Sequence, residues 1–256
     1  MMRRFFLVAV IASFLNLPFT SLAQSKESIT VAAAANLNGV LDELVLQYTK
    51  KGIQQVKVVY GSSGHFYQQL IQGAKYDIFL SANQDYVDRL VSQVYANDAG
   101  VVYARGRLVV LVSNKSKIRP TPDLGDLKQA VQDGRLSKFA IANPALAPYG
   151  AAAVQALEQL GLTKMFQPLL VMGGDVGQTM LFIRSEAAQA GMVPWSMVKQ
   201  SKTIQEESYI LIPEKLHQPI LQKMILFKQS NPPAKGFYDY LQSAQARQIW
   251  RQYGYE

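Results

Sequence analysis

Val56-Lys57-Val58-Val59-Tyr60 runs straight into Gly61-Ser62-Ser63-Gly64, and residues 65–72 follow with Phe66, Leu70 and Ile71 at helical spacing. The β-branched and aromatic run reads as a buried strand, and the spacing after it as a helix. A strand that becomes a helix through glycines and serines leaves backbone N–H groups without carbonyl partners and hydroxyls pointing outward. Orphan donors and helix dipole then both favour negative charge. The same four residues also read as an ordinary turn with a serine N-cap, so their meaning depends on what the other turns supply.

Working outward, the strand–turn–helix unit repeats along the chain. Residues 28–33 read as a first strand leading into Ala34-Ala35-Asn36-Leu37, after which Val40, Leu41, Leu44, Val45 and Tyr48 mark a helix to about Lys50. Asn36 or Asn38 stands where an N-cap belongs, and Gly52 is a stop signal. Residues 76–80 form a third strand, with a helix expected over 84–93. A long apolar strand over 107–113 precedes a polar, proline-bearing stretch at 114–122, read as the crossing into a second lobe. There, residues 138–142 and 169–172 are strands. The first is followed by Asn143-Pro144 and Pro148-Tyr149-Gly150 with a helix from about Ala151, the second by Gly173-Gly174-Asp175-Val176-Gly177 and another helix. Residues 190–195 make a short strand and turn, and 208–212 read as a strand returning to the first lobe. Two helical pieces flank Ser243. Such alternation predicts α/β units with mostly parallel sheets, whose ligands sit at the carboxyl ends of the strands.

Composition narrows the chemistry. The 256 residues are 49% hydrophobic and 17% charged, as in packed globular proteins. No cysteine occurs, which excludes disulfides, thiolate metal sites and cysteine nucleophiles. His65 and His217 are the two imidazoles, little material for a metal site or a triad. Met1-Met2-Arg3-Arg4, an apolar run over 5–17 and Ser21-Leu22-Ala23 read as a signal peptide cleaved after Ala23, placing the mature protein in the periplasm. The apolar run is short for a spanning helix of about 20 residues. Without Arg3 and Arg4, 24 basic residues face 18 acidic ones, a net of +6. They are scattered, with no run suited to nucleic acid, and the mild positive charge suits gathering small anions.

Four turns share one character: Ala35-Asn36, Gly61-Ser62-Ser63-Gly64, Pro148-Tyr149-Gly150 and Gly174-Asp175-Val176-Gly177. All are small, glycine- or amide-bearing, and free of lysine and arginine. Two from each lobe facing across a cleft would make an uncharged, strongly donating cage for a dehydrated tetrahedral oxyanion. Val31-Ala32-Ala33-Ala34-Ala35-Asn36-Leu37, Tyr60-Gly61-Ser62-Ser63-Gly64, Asp77-Ile78-Phe79-Leu80-Ser81-Ala82, Asn143-Pro144 with Pro148-Tyr149-Gly150, and Asp175-Val176-Gly177-Gln178, in this order, resemble the periplasmic molybdate-binding proteins of ABC-type importers. The ending, Phe237-Tyr238-Asp239-Tyr240-Leu241 through Tyr253-Gly254-Tyr255, is similar as well, so the resemblance spans the mature chain.

The resemblance implies a two-lobed type II periplasmic-binding-protein fold. Its lobes would be residues 24–107 with 213–256, and residues 108–212. It implies a monomer that captures molybdate or tungstate between the lobes and delivers it to an ABC permease of the inner membrane. It also implies a ligand shell of Asn36, where many members have serine, together with Ser63, Tyr149 and Val176, with Ala35 and Ser62 as further candidates. Molybdenum would be held as its oxyanion, without a direct protein–metal bond, and no cofactor or catalytic residue is implied. Some members add a tyrosine hydroxyl where this chain has Pro194, followed by Trp195. The alternatives are a binding protein for sulfate or an organic acid, and an exported hydrolase. For the latter, Ser62, Ser63 and His65 lack the Gly-x-Ser-x-Gly pattern. Asp77 is read as structural and Asp175 as the cap of a helix starting at Gly177.

Overall fold

The alternation becomes two five-stranded sheets built on one plan. The computed structural model describes residues 28–50, 52, 54–93, 95–96 and 98–256; the expected leader and its cleavage site lie outside the described residues. The elements of the first sheet are β1 (Ile29–Ala34), α1 (Val40–Thr49), β2 (Val56–Gly61), α2 (Ser63–Ile71), β3 (Ile78–Ser81), α3 (Gln84–Ser92) and β4 (Val101–Gly106). The second sheet takes β5 (Leu108–Val112), α4 (Gly125–Gln132), β6 (Phe139–Ala142), α5 (Pro148–Gln159), α6 (Thr163–Phe166), β7 (Leu170–Gly173), α7 (Val176–Arg184), β8 (Ala190–Pro194), α8 (Trp195–Lys199) and β9 (Tyr209–Leu211). The chain returns to the first sheet through β10 (Ile220–Leu226) and ends in α9 (Pro232–Leu241) and α10 (Ala244–Gln252).

The strand orders are β2-β1-β3-β10-β4 and β7-β6-β8-β5-β9. In each, the fourth strand runs antiparallel to both neighbours and the other four share a direction. The sheets are therefore mixed but mostly parallel in direction. The reversed strands, β10 and β5, are the ones by which the chain arrives from the other lobe. Central strands are apolar on both faces because helices cover both: Ile78, Phe79 and Leu80 are fully buried, as are Val109, Val110 and Phe139.

Several expectations need correction. Residues 208–212 do not return to the first lobe: β9 stays at the edge of the second sheet beside β5, and the return is β10. That strand escapes sequence patterning because Gln222 and Lys223 interrupt its apolar run at a bulge. Strand β4 and helix α4 were likewise unanticipated. The run 56–60 is not buried but an edge strand, with Lys57 and Val59 exposed. Neither Asn36 nor Asn38 caps α1. Gly39 does, at φ +87, its N–H donating to Asp42 Oδ2 at 3.2 Å. Helix α5 opens at Pro148, three residues before the expected start. Asp175 caps α7 as expected, accepting from the Gln178 N–H at 2.9 Å, but the helix starts at Val176. Asp77 is structural, as read, its carboxylate buried among backbone donors. Ser243 caps α10.

Candidate functional site

The carboxyl ends of β1, β2, β6 and β7 point to one place between the lobes. Each strand there gives way to a helical turn, so that orphan N–H groups converge. After β1 a 3-10 turn, Ala35–Leu37, buries all three of its residues. After β2, Ser62 caps α2. After β6, Pro148 occupies the first position of α5 and has no N–H, which makes the Tyr149 N–H the first donor of that helix. After β7, Asp175 caps α7 and leaves the Val176 N–H ahead of it. Among the described residues the N–H groups of Ala35, Ser63, Tyr149 and Val176 find no backbone acceptor, as expected of first-turn donors.

All six residues singled out from the sequence, Ala35, Asn36, Ser62, Ser63, Tyr149 and Val176, line one cavity. It is pinched to about 10 Å³, roughly the room one water needs, because the lobes are drawn together around it. A larger cleft of about 690 Å³ opens beside it and shares Ala35 and Asp175 with its wall.

The six are not equivalent. Ser63 is 1% exposed, and its Oγ accepts the Ala82 N–H at 2.9 Å, so its hydroxyl proton remains to be donated. The Ser62 hydroxyl is already committed, donating to the Leu146 carbonyl at 2.7 Å and capping the His65 N–H at 3.4 Å. With the Gly64 N–H, which reaches the same carbonyl at 2.8 Å, it forms a latch between the lobes. Both donor hydrogens of the Asn36 side chain are also used inward, on Gln222 Oε1 and Tyr255 Oη, each at 2.9 Å. His65 is exposed. Pro194 and Trp195 do not line the cavity; the Trp195 ring lies against Gly254 and under the Lys199 ammonium, 4.8 Å from its centroid. Among the described residues Tyr149 is the tyrosine in the cavity wall, and the Tyr255 hydroxyl touches that wall from behind, through Asn36.

Among the described residues no lysine or arginine lines the cavity; the one charged residue in its wall is Asp175, whose Oδ1 accepts the Gln178 N–H. The cavity's polarity comes from peptide N–H groups at helix ends, each helix contributing roughly half a positive charge. Behind it, burial pushes the phenols of Tyr103, Tyr149 and Tyr255 above the ordinary tyrosine value. The folded protein favours their neutral form, so what they lend to stability is fully present below about pH 10 and is lost as pH rises through their raised values. Thermal melts at increasing alkalinity are expected to show a loss of stability beginning near that pH, and a smaller loss in Tyr103→Phe.

Leu146, Gln222 and Tyr255 are not among the site candidates legible in the sequence. Gln222 had a weak signal, a glutamine inside an apolar stretch. Tyr255 lay in the C-terminal motif without an assigned role.

The family described as bacterial extracellular solute-binding protein matches residues 29–256. The molybdate-binding protein ModA of Rhodobacter capsulatus is 34% identical over 232 residues, covering 89% of this chain and 87% of that protein. Its counterpart in Azotobacter vinelandii is 31% identical over 241 residues, 91% of each. The solved periplasmic molybdate-binding protein of Azotobacter vinelandii superposes with a TM-score of 0.81 at 29% identity, covering 89% of this chain and 98% of that one.

Proposed function

The chain belongs to the bacterial extracellular solute-binding proteins, and from that premise we propose that it captures molybdate between its two lobes for an ABC importer. One observation carries the reading: four turns, two from each sheet, surround a single cavity with neutral donors and, among the described residues, no cation. Fixed N–H groups and a hydroxyl favour an anion stripped of water, and their spacing selects its size. The work is binding, not turnover. The donors are the Ser63 hydroxyl and N–H, and the N–H groups of Tyr149 and Val176, with Ala35 and Asn36 completing the first wall. Tungstate, with the same shape and charge, is a second ligand of this cage.

The protein is exported, cleaved after Ala23 and monomeric. Its lobes are residues 24–107 with 213–256, and 108–212, and they open and close at the two crossings near Val109 and Ile212. The oxyanion stabilises the closed form because only there do both half-cages reach it, and the permease reads that form.

Isothermal titration with molybdate, tungstate, sulfate and phosphate tests this. Saturable binding of molybdate at micromolar concentrations or below is expected; no heat and no thermal stabilisation by molybdate would overturn the reading, and tighter binding of sulfate would reassign the ligand. Ser63→Ala removes one charge-assisted donor and is expected to weaken molybdate binding by about 1–3 kcal/mol. An unchanged dissociation constant in that variant would move the site elsewhere.

A further inference from the structure

Directly behind the cavity lies a connected group of neutral side chains, all buried except the half-buried Tyr103. Gln222, 0% exposed, sits at the bulge of β10. Its Oε1 accepts from Asn36 Nδ2 at 2.9 Å and from the Tyr103 hydroxyl at 3.1 Å, and its Nε2 donates to Tyr149 Oη at 3.1 Å. Tyr255, next to the last residue, accepts from Asn36 Nδ2 at 2.9 Å and donates to the Asn36 carbonyl at 2.7 Å. Asn36, Gln222, Tyr103 and Tyr255 belong to the first lobe, and Tyr149 stands in the first turn of α5 of the second. The backbone leaves room for this group: a Cβ on Gly106 would stand 2.0 Å from Tyr149 Oη and 2.8 Å from Gln222 Nε2.

A buried glutamine with no partners would be destabilising, and an apolar residue would fill β10 more simply. Gln222 is instead satisfied at both ends, and its two ends hold two opposite walls of the cage. Asn36 is fixed from behind on one side. On the other, the Tyr149 ring is fixed, and with it the main-chain N–H at the start of α5. We infer that Gln222, aided by Tyr255, is the positioning residue of the oxyanion cage. It touches no ligand, and it sets the distance between the first-lobe and second-lobe walls in the closed form, and hence the size of anion the cage prefers. This inference rests on the oxyanion-binding reading above.

The discriminating variant is Tyr149→Phe, which keeps the ligand-facing N–H and the ring and loses only the hydroxyl bonded to Gln222. Gln222→Leu removes the whole connection, and Tyr255→Phe loosens Asn36 alone. A residue that merely favoured the folded or closed state would weaken every anion by the same factor, since it would change only the fraction competent to bind. A positioning residue changes the ratio between anions of different size. Molybdate and sulfate are titrated into wild-type protein and each variant, with far-UV circular dichroism and melting curves as folding controls. Tyr149→Phe is expected to bind molybdate about tenfold more weakly, through loss of one bond and an unsatisfied buried donor. Its preference for molybdate over sulfate should shrink by at least about threefold. Gln222→Leu should exceed both effects; should it fail to fold, Tyr149→Phe carries the test alone. Unaltered binding in a folded Tyr149→Phe, or equal weakening of both anions, would overturn the positioning role and leave the oxyanion reading standing. Wild-type protein that binds neither anion would overturn both.

Discussion

Asp77→Ala is expected to lower the unfolding free energy by about 3 kcal/mol or more. Asp77 is 5% exposed, yet among the described residues no cation pairs with its carboxylate; donors from two distant segments hold it. Oδ2 accepts the Thr30 N–H at 2.6 Å and the Thr30 hydroxyl at 2.8 Å, while Oδ1 accepts the Asn231 N–H at 2.6 Å. Thr30 lies in the interior strand β1, and Asn231 precedes α9, so one side chain ties the first strand of the sheet to the C-terminal helices. Alanine would leave two main-chain N–H groups without acceptors, each worth roughly 1–3 kcal/mol when stranded. Asp77→Asn retains an acceptor and should lose less. Urea unfolding of both variants checks this through the midpoint at constant slope. A shift in Asp77→Ala corresponding to less than about 1 kcal/mol would contradict the account.

The second large effect concerns binding and leaves the fold alone. Gly64→Ala should weaken molybdate binding roughly 10- to 100-fold while the unliganded melting temperature changes little. Gly64 lies in the first turn of α2, where alanine is the better helix former; within its own lobe the methyl would meet the Tyr86 hydroxyl at 2.7 Å, the far end of a side chain. Across the lobe boundary the obstacle is backbone. A Cβ there would stand 2.7 Å from the Leu146 carbonyl oxygen and 2.8 Å from the Leu146 Cα. The same carbonyl accepts the Gly64 N–H and the Ser62 hydroxyl, so the methyl wedges the latch open beside the Ser63 and Tyr149 donors. Displacing one half-cage from the other by even half an ångström takes fixed N–H groups out of hydrogen-bond range of a shared anion. Wild-type affinity in Gly64→Ala would show that oxyanion binding does not need this latch.

The wall materials of the candidate site are legible turn by turn in the sequence. Gly61-Ser62-Ser63-Gly64 became a helix opening with free donors, and Pro148 made Tyr149 the first donor of its helix. These outcomes depend on local chemistry: which residues lack an N–H, accept a cap or leave a turn uncovered. Exposure was less legible. Val56 to Tyr60 has the composition of a core strand and lies at an edge, because β-propensity records the fit of a side chain to a pleated surface and not its place in the strand order. The role of Ser62 was not legible either. Beside Ser63 it looks like a second ligand donor, and only the approach of Leu146, 84 positions away, shows its hydroxyl occupied.

The sequence by itself determined the α/β alternation, the absence of cysteine chemistry, the donor-rich and cation-free turns, and the family order in which they occur. These follow from composition, spacing and contacts within a few residues. Tertiary structure alone decided which strand carries the chain back, which hydroxyls stay free and what holds the cage from behind. Gln222 shows the physical reason. In sequence it is a polar interruption that hides a strand. In the fold it meets Asn36 across 186 positions and Tyr149 across 73. A buried amide is favourable only when such partners have been brought to it.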